Sequence, residues 1–200
     1  GVRSLSQVGV VPNMIFAKDE DSASYYVDDE LHVRGIVNVV RGNMEFGPRA
    51  LCNTSTLALP TLGNVHDINY SNDRNTVMPM APVMNLATYK QKFERTTQVW
   101  KSHEHMIIAM EYQEAPEDNE LGAAHPYAWP YTHHTGRPQV IRNDDKFMST
   151  ILACHGGMLI NTSFNYHGKP IAWGMESIIS NHMMQQQRDP SIKTVVITNE

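Results

Sequence analysis

Between Gln139 and Thr198 short apolar runs alternate with segments of helical period, and this alternation limits the fold more than anything else in the chain. Gln139–Ile141, Met158–Ser163 and Thr194–Thr198 read as strands, while Asp144–Ala153 and Met175–Gln187 read as helices. Strands interleaved with helices in this way predict an α/β sheet that is partly parallel. Earlier in the chain, Gly35–Val40 reads as a buried strand, because Ile36, Val37, Val39 and Val40 are β-branched and unbroken by charge. Thr54–Leu59 alternates like a second strand and stops at Pro60. Asn64–Tyr70 and Leu86–Arg95 read as helices, the latter with Leu86, Tyr89 and Phe93 on one face. His105–Tyr112 reads as a further strand, and Gln113–Arg137 as a long functional loop.

The chain has 200 residues, 41% of them hydrophobic, enough for one sizeable core. The expected layout is a single domain over 35–200 preceded by an exposed segment, 1–34, that mixes Gly, Pro and Ser with two carboxylate clusters. A net charge of -5 leaves nucleic-acid binding unsupported. Cys52 and Cys154 stand far apart and outside any zinc spacing, so no structural metal is expected and a reducing, cytoplasmic setting fits. No apolar run of about 18 residues marks a membrane span. His103, His105, His125, His133 and His134 read as solvated side chains rather than ligands. An oligomer remains compatible with all of this.

Chemistry concentrates in two segments that follow apolar runs, Arg41–Leu51 and Leu159–Ile171. In the first, Gly42 and Gly47 let backbone approach a ligand, Pro48 sets a turn, and the fork of Arg49 suits phosphate or carboxylate. An internal ion pair between Glu45 and Arg49 explains the same residues equally well. In the second, Asn161, Ser163 and Asn165 alternate along an extended chain and project to one side. Their amides and hydroxyl suit a nucleotide or acyl phosphate, and they equally suit a strand exit.

Glu45-Phe-Gly-Pro-Arg-Ala-Leu51, with Asn161-Thr-Ser-Phe-Asn165, His167-Gly168 and Pro170-Ile171, resembles the two hallmark blocks of the carbamoyltransferase C-terminal domain, found in nodulation and antibiotic O-carbamoyltransferases. Met78-Pro-Met-Ala-Pro82 stands where the family has Phe-Arg-Pro-Phe-Ala-Pro, and Arg137-Pro-Gln139 matches its Arg-x-Gln element. The resemblance implies a YrdC/Sua5-like twisted mixed sheet with flanking helices. It implies a site for ATP, with Mg carried by the nucleotide, and for carbamoyl phosphate, which together give carbamoyladenylate. It also implies a partner, an N-terminal Kae1-like domain of the same protein that passes the carbamoyl group to a hydroxyl acceptor. The abrupt start at Gly1 favours a fragment of such a protein over a stand-alone module.

By the same resemblance Arg49, Arg74, Ser163 and Asn165 carry the reaction, and Glu45, Gly47, Arg137, Gln139, Asn161, Thr162, His167 and Lys169 line the substrate and nucleotide site. Several of the family's cations are missing. Asn72 stands for a Lys, Met78 and Thr54 each for an Arg, and Cys52 for a Gly. Losing three positive charges weakens a site for two phosphorylated substrates, and Lys169, where the family has Glu, restores part of the charge.

Overall fold

A computed structural model describes residues 10–75, 78–93, 100–125 and 134–198. Among the described residues are nine strands: β1 Met14–Ala17, β2 Ile36–Val40, β3 Thr54–Ala58, β4 Ala81–Met84, β5 Met110–Glu111, β6 Thr135–Gly136, β7 Gln139–Val140, β8 Met158–Ser163 and β9 Lys193–Ile197. The helices are α1 Glu20–Val33, α2 Leu62–Ser71, α3 Leu86–Lys92, α4 Lys146–Cys154 and α5 Gly174–Gln186. Seven strands make one mixed sheet in the order β1-β9-β2-β3-β8-β4-β7, and β5 with β6 makes a small separate ribbon. The parallel pairs are β1–β9, β9–β2 and β4–β7, while β3 and β8 run antiparallel to their neighbours.

The central strands are buried on both faces, as the β-branched run in β2 requires. On one face Val37, Val39, Leu57, Leu159, Val195 and Ile197 meet α1 through Ala23, Val27 and Leu31, and α4 through Phe147, Met148, Ile151 and Leu152. On the other, Ile36, Ala58, Ile160 and Met84 pack against Val65 and Ile68 of α2 and Tyr89 of α3. Side chains close the helix starts: Asp19 accepts from Ser22 N, Thr61 from Asn64 N, Asn85 from Thr88 N and Asp145 from Met148 N. A buried polar chain runs through the sheet to α5. Asn38 accepts from Thr56 Oγ1 at 2.7 Å and donates to Thr194 Oγ1 at 3.0 Å and to Gln185 Oε1 at 2.6 Å. His182 Nδ1 lies 2.8 Å from the same Thr194 hydroxyl. Each of these groups is satisfied, which makes the chain specific rather than costly.

Three expectations change. Residues 1–34 are not an exposed leading segment where they are described: β1 extends the sheet, and Ala23, Val27 and Leu31 have no exposed surface. The acids of α1 mostly face away from this apolar stripe, so the boundary at residue 35 falls inside one core. His105–Tyr112 is no continuous strand, because a 3-10 turn over Trp100–His105 ends at Met106 with φ 53° and pairing begins only at Met110. His103 is fully buried rather than solvated, with neither ring nitrogen bonded and the Tyr89 ring 5.2 Å away. Burial pushes its imidazole below the usual histidine range, so it is neutral. His133 lies outside the described residues. Among the described residues no helix is long and apolar enough to cross a membrane.

Leu31→Ala tests whether α1 belongs to the core. The substitution is expected to cost roughly 2–5 kcal/mol in denaturant unfolding, whereas a side chain on a solvated segment loses under about 0.5 kcal/mol.

Candidate anion-binding cleft

Strand register brings the two polar segments together. β8 lies between β3 and β4, with Ser55 opposite Ser163 and Ala81 opposite Asn161. The loop that leads into β3, the chain that leads into β4 and the end of β8 therefore share one end of the sheet. They enclose a cleft of about 100 Å³ lined by Arg49, Arg74, Arg137, Asn161, Thr162 and Ser163, with Ala50, Ala81, Met78 and Met106 among its apolar contacts. All six polar residues are sequence candidates. They come from four separate stretches of the chain.

The electrostatics of the cleft are strongly positive. Arg74 donates through Nη1 to Thr162 Oγ1 at 3.2 Å and through Nη2 to the Ser163 carbonyl at 3.5 Å. Burial pushes its guanidinium down to about 10. Burial, and then the charge of Arg49, likewise lower Arg137, whose Nε is buried with no partner. Arg49 stands exposed at the mouth. Among the described residues none of the three arginines meets a carboxylate. Gathering cations without a counter-ion is unfavourable, and an anion with several oxygens reverses that cost through charge-assisted bonds.

The loop carrying Arg49 is held by acids that point away from the cleft. Glu45 accepts from the backbone N–H groups of Leu51 at 2.5 Å, Asn53 at 2.8 Å and Thr54 at 3.2 Å. Its role is loop closure, and the Glu45–Arg49 ion pair does not form. Arg41 donates through Nε to the Cys52 carbonyl at 2.9 Å and grips Asp145 with both terminal nitrogens, with Glu20 at 3.1 Å. Burial works against that charge, and Asp145 outweighs it, so the guanidinium stays above its ordinary value. Local spacing does not reveal this anchor, since its partners lie on α1 and beside α4. Cys52 has φ 73°, a left-handed conformation that suits the glycine the family resemblance implies at this position. A non-glycine residue there costs about 1–2 kcal/mol.

The second wall differs in detail from a simple alternation. Asn161 Nδ2 donates to the Ala50 carbonyl at 3.0 Å and to Gln139 Oε1 at 2.8 Å, while Asn161 Oδ1 has no partner. Gln139 thus supports the wall from behind. Ser163 donates its hydroxyl to Asn165 Oδ1, and Asn165 Nδ2 donates to the Lys169 carbonyl at 2.8 Å. Asn165 positions Ser163 and does not itself line the cleft. Thr162 lines it from the opposite strand face, because the cleft sits at the strand end. Gly47, His167 and Lys169 are exposed and outside the lining, so Lys169 supplies no charge to the wall. Asn72 is buried behind the site, where its carbonyl accepts from His167 N at 2.9 Å. Met106 reaches the lining because the chain turns there, at φ 53°, where its apolar run predicts a strand.

The family described as Carbamoyltransferase C-terminus matches residues 28–199. An uncharacterized protein of Methanocaldococcus jannaschii is 31% identical over 160 residues, covering 74% of this chain and 28% of the relative. The 3'-hydroxymethylcephem-O-carbamoyltransferase of Amycolatopsis lactamdurans is 29% identical over 153 residues, covering 72% of this chain and 27% of the relative. The chain thus spans about a quarter of the length of these curated relatives. Among solved structures, P. abyssi Sua5 complexed with L-threonine aligns at TM-score 0.57 and 9% identity, over 96% of this chain and 51% of that one. Full-length HypF in its phosphate- and nucleotide-bound form aligns at TM-score 0.59 and 12% identity, over 89% and 25%. The fold is the Sua5/YrdC-like mixed sheet.

Pyrophosphate is a suitable probe of the cleft. Arg74→Met is expected to weaken its binding, measured by calorimetry, by about 10- to 100-fold, the worth of one charged hydrogen-bonding group. Lys169→Ala, outside the lining, is expected to leave it within about twofold.

Proposed function

This chain belongs to the carbamoyltransferase C-terminal family, and from that premise we propose that its cleft binds ATP and carbamoyl phosphate and forms carbamoyladenylate. An N-terminal Kae1-like domain of the same protein then transfers the carbamoyl group to a hydroxyl acceptor. The observation that carries this reading is the meeting of Arg49, Arg74 and Arg137, free of carboxylates among the described residues, with Thr162 and Ser163 in the lining of one cleft. The phosphate- and nucleotide-bound state of the HypF structure supports it. So does the chemistry named for the cephem relative.

Forming carbamoyladenylate from these substrates takes up one water and releases pyrophosphate from ATP and phosphate from carbamoyl phosphate. Both departures leave negative charge on phosphate oxygens, and little covalent help is needed from the protein. Arg74 and Arg137, already desolvated, stabilise that charge in the transition state without reorganising. Arg49 at the mouth draws the anions in and closes over them. The Ser163 hydroxyl, oriented by Asn165, and the free Asn161 Oδ1 position the phosphoryl and carbamoyl groups. Among the described residues no carboxylate lines the cleft. They therefore offer Mg²⁺ no ligand set there, and the steps assigned to the side chains do not pass through the metal.

One observation favours a second reading, a diverged module that binds a nucleotide or packs on its partner without adenylating. Met78 lines the cleft in place of a family arginine, and Asn72 is buried in place of a lysine. Exchange of labelled pyrophosphate into ATP, dependent on carbamoyl phosphate, separates the two in the full-length protein. Exchange that falls about 10-fold or more in Ser163→Ala is the expected result. ATP binding with no exchange would leave only the second reading.

A further inference from the structure

The end of α1 and the end of α4 meet through three side chains of metal-ligand type, none of which lines the cleft. Asp28 and His32 stand one turn apart on α1, the spacing that brings two side chains over each other. His155 is the residue that closes α4. His155 Nε2 lies 3.0 Å from Asp28 Oδ1, and His32 Nδ1 lies 3.5 Å from the same oxygen. The two imidazole rings are 4.7 Å apart between centroids. One ligand atom from each of the three lies within 4.8 Å of the other two. Ligands about 2.1 Å from a tetrahedral ion sit roughly 3.4 Å from one another, so small side-chain adjustments complete the geometry.

A second observation separates this cluster from an ordinary surface ion pair. The His155 side chain is only 5% exposed, yet its Nε2 makes no aligned hydrogen bond. Asp28 Oδ1, which faces it, is also buried and without one. The contact between them is an ion pair when the imidazole carries a proton on Nε2, and without an aligned hydrogen bond it is an imperfect one. A metal ion in the proton's place would bind both atoms. His32, whose side chain is 60% exposed, borders the open side.

We propose that Asp28, His32 and His155 form a binding site for a divalent cation of the zinc class, with the fourth position open to solvent. Two imidazoles and one carboxylate favour zinc and its late-transition-metal neighbours over magnesium or calcium, which take oxygen ligands. The ion clips the last turns of two helices that otherwise meet through apolar contacts and the Asp28–His155 pair, so binding stabilises the fold by mass action.

The test uses untagged protein stripped with a chelator and titrated with Zn²⁺ by calorimetry, together with Co²⁺ absorption as a report of geometry. One equivalent of Zn²⁺, a raised Tm and a tetrahedral Co²⁺ spectrum are expected, with Mg²⁺ inert. His32→Ala removes a ligand from an exposed position without disturbing the core, and is expected to weaken Zn²⁺ binding by at least about 10-fold. Asp28→Asn is expected to do the same. Cys154→Ser, which removes the exposed thiol next to His155, is expected to leave binding in place. Absence of stoichiometric binding, binding that survives His32→Ala, or binding lost with Cys154→Ser would each overturn the assignment.

Discussion

The candidate cleft depends on one constraint, the double antiparallel pairing of β8 between β3 and β4. That pairing sets Ser163 beside the start of β3 and Asn161 beside the start of β4, and so brings three loops to a common edge. A slip of one residue would turn Asn161 toward the opposite face and drive Leu159 and Ile160 out of their separate cores. Because both faces of the strand are buried, the register is held by the whole core, and the polar end inherits that precision. The cleft is thus defined by apolar packing some distance from it.

What remains to be fixed locally is the loop between β2 and β3. Its length would cost conformational entropy to order, and here the ordering is done by buried polar groups rather than by apolar contacts. Glu45 gathers backbone N–H groups from inside the loop, and Arg41 ties the same backbone to Asp145 and Glu20 outside it. Arg49 is thereby left with no structural partner among the described residues. A loop that satisfies itself in this way is pre-organised, and its free cation is available for a ligand.

How far this could be seen in the sequence varied with the physical signal. β8 was legible to the residue, since Met158–Ile160 is an apolar run ending in polar residues, and β2 nearly so. β1 and α1 were hidden by composition: acids dominate the segment, while the stripe Ala23, Val27, Leu31 is narrow and begins with a small residue. β4 was hidden by Pro79 and Pro82, which argue against a central strand although Pro82 sits opposite Ile160. In the site, residue type and resemblance found the six polar lining residues. Direction was beyond them. Glu45, His167 and Lys169 share a motif with lining residues, yet a turn sends each elsewhere, and spacing along a loop does not encode which way a side chain points.

The left-handed backbone at Cys52 carries one more consequence. The residue is held by the Arg41 and Asn161 contacts in a conformation that resists a side chain, and its sulfur is buried between Gln139 and Asn161. No alkylating or oxidising reagent reaches that thiol while the sheet is intact, whereas Cys154 stands at the surface. Modification of Cys52 therefore measures how often the molecule opens, and the protein carries a built-in clock for its own unfolding.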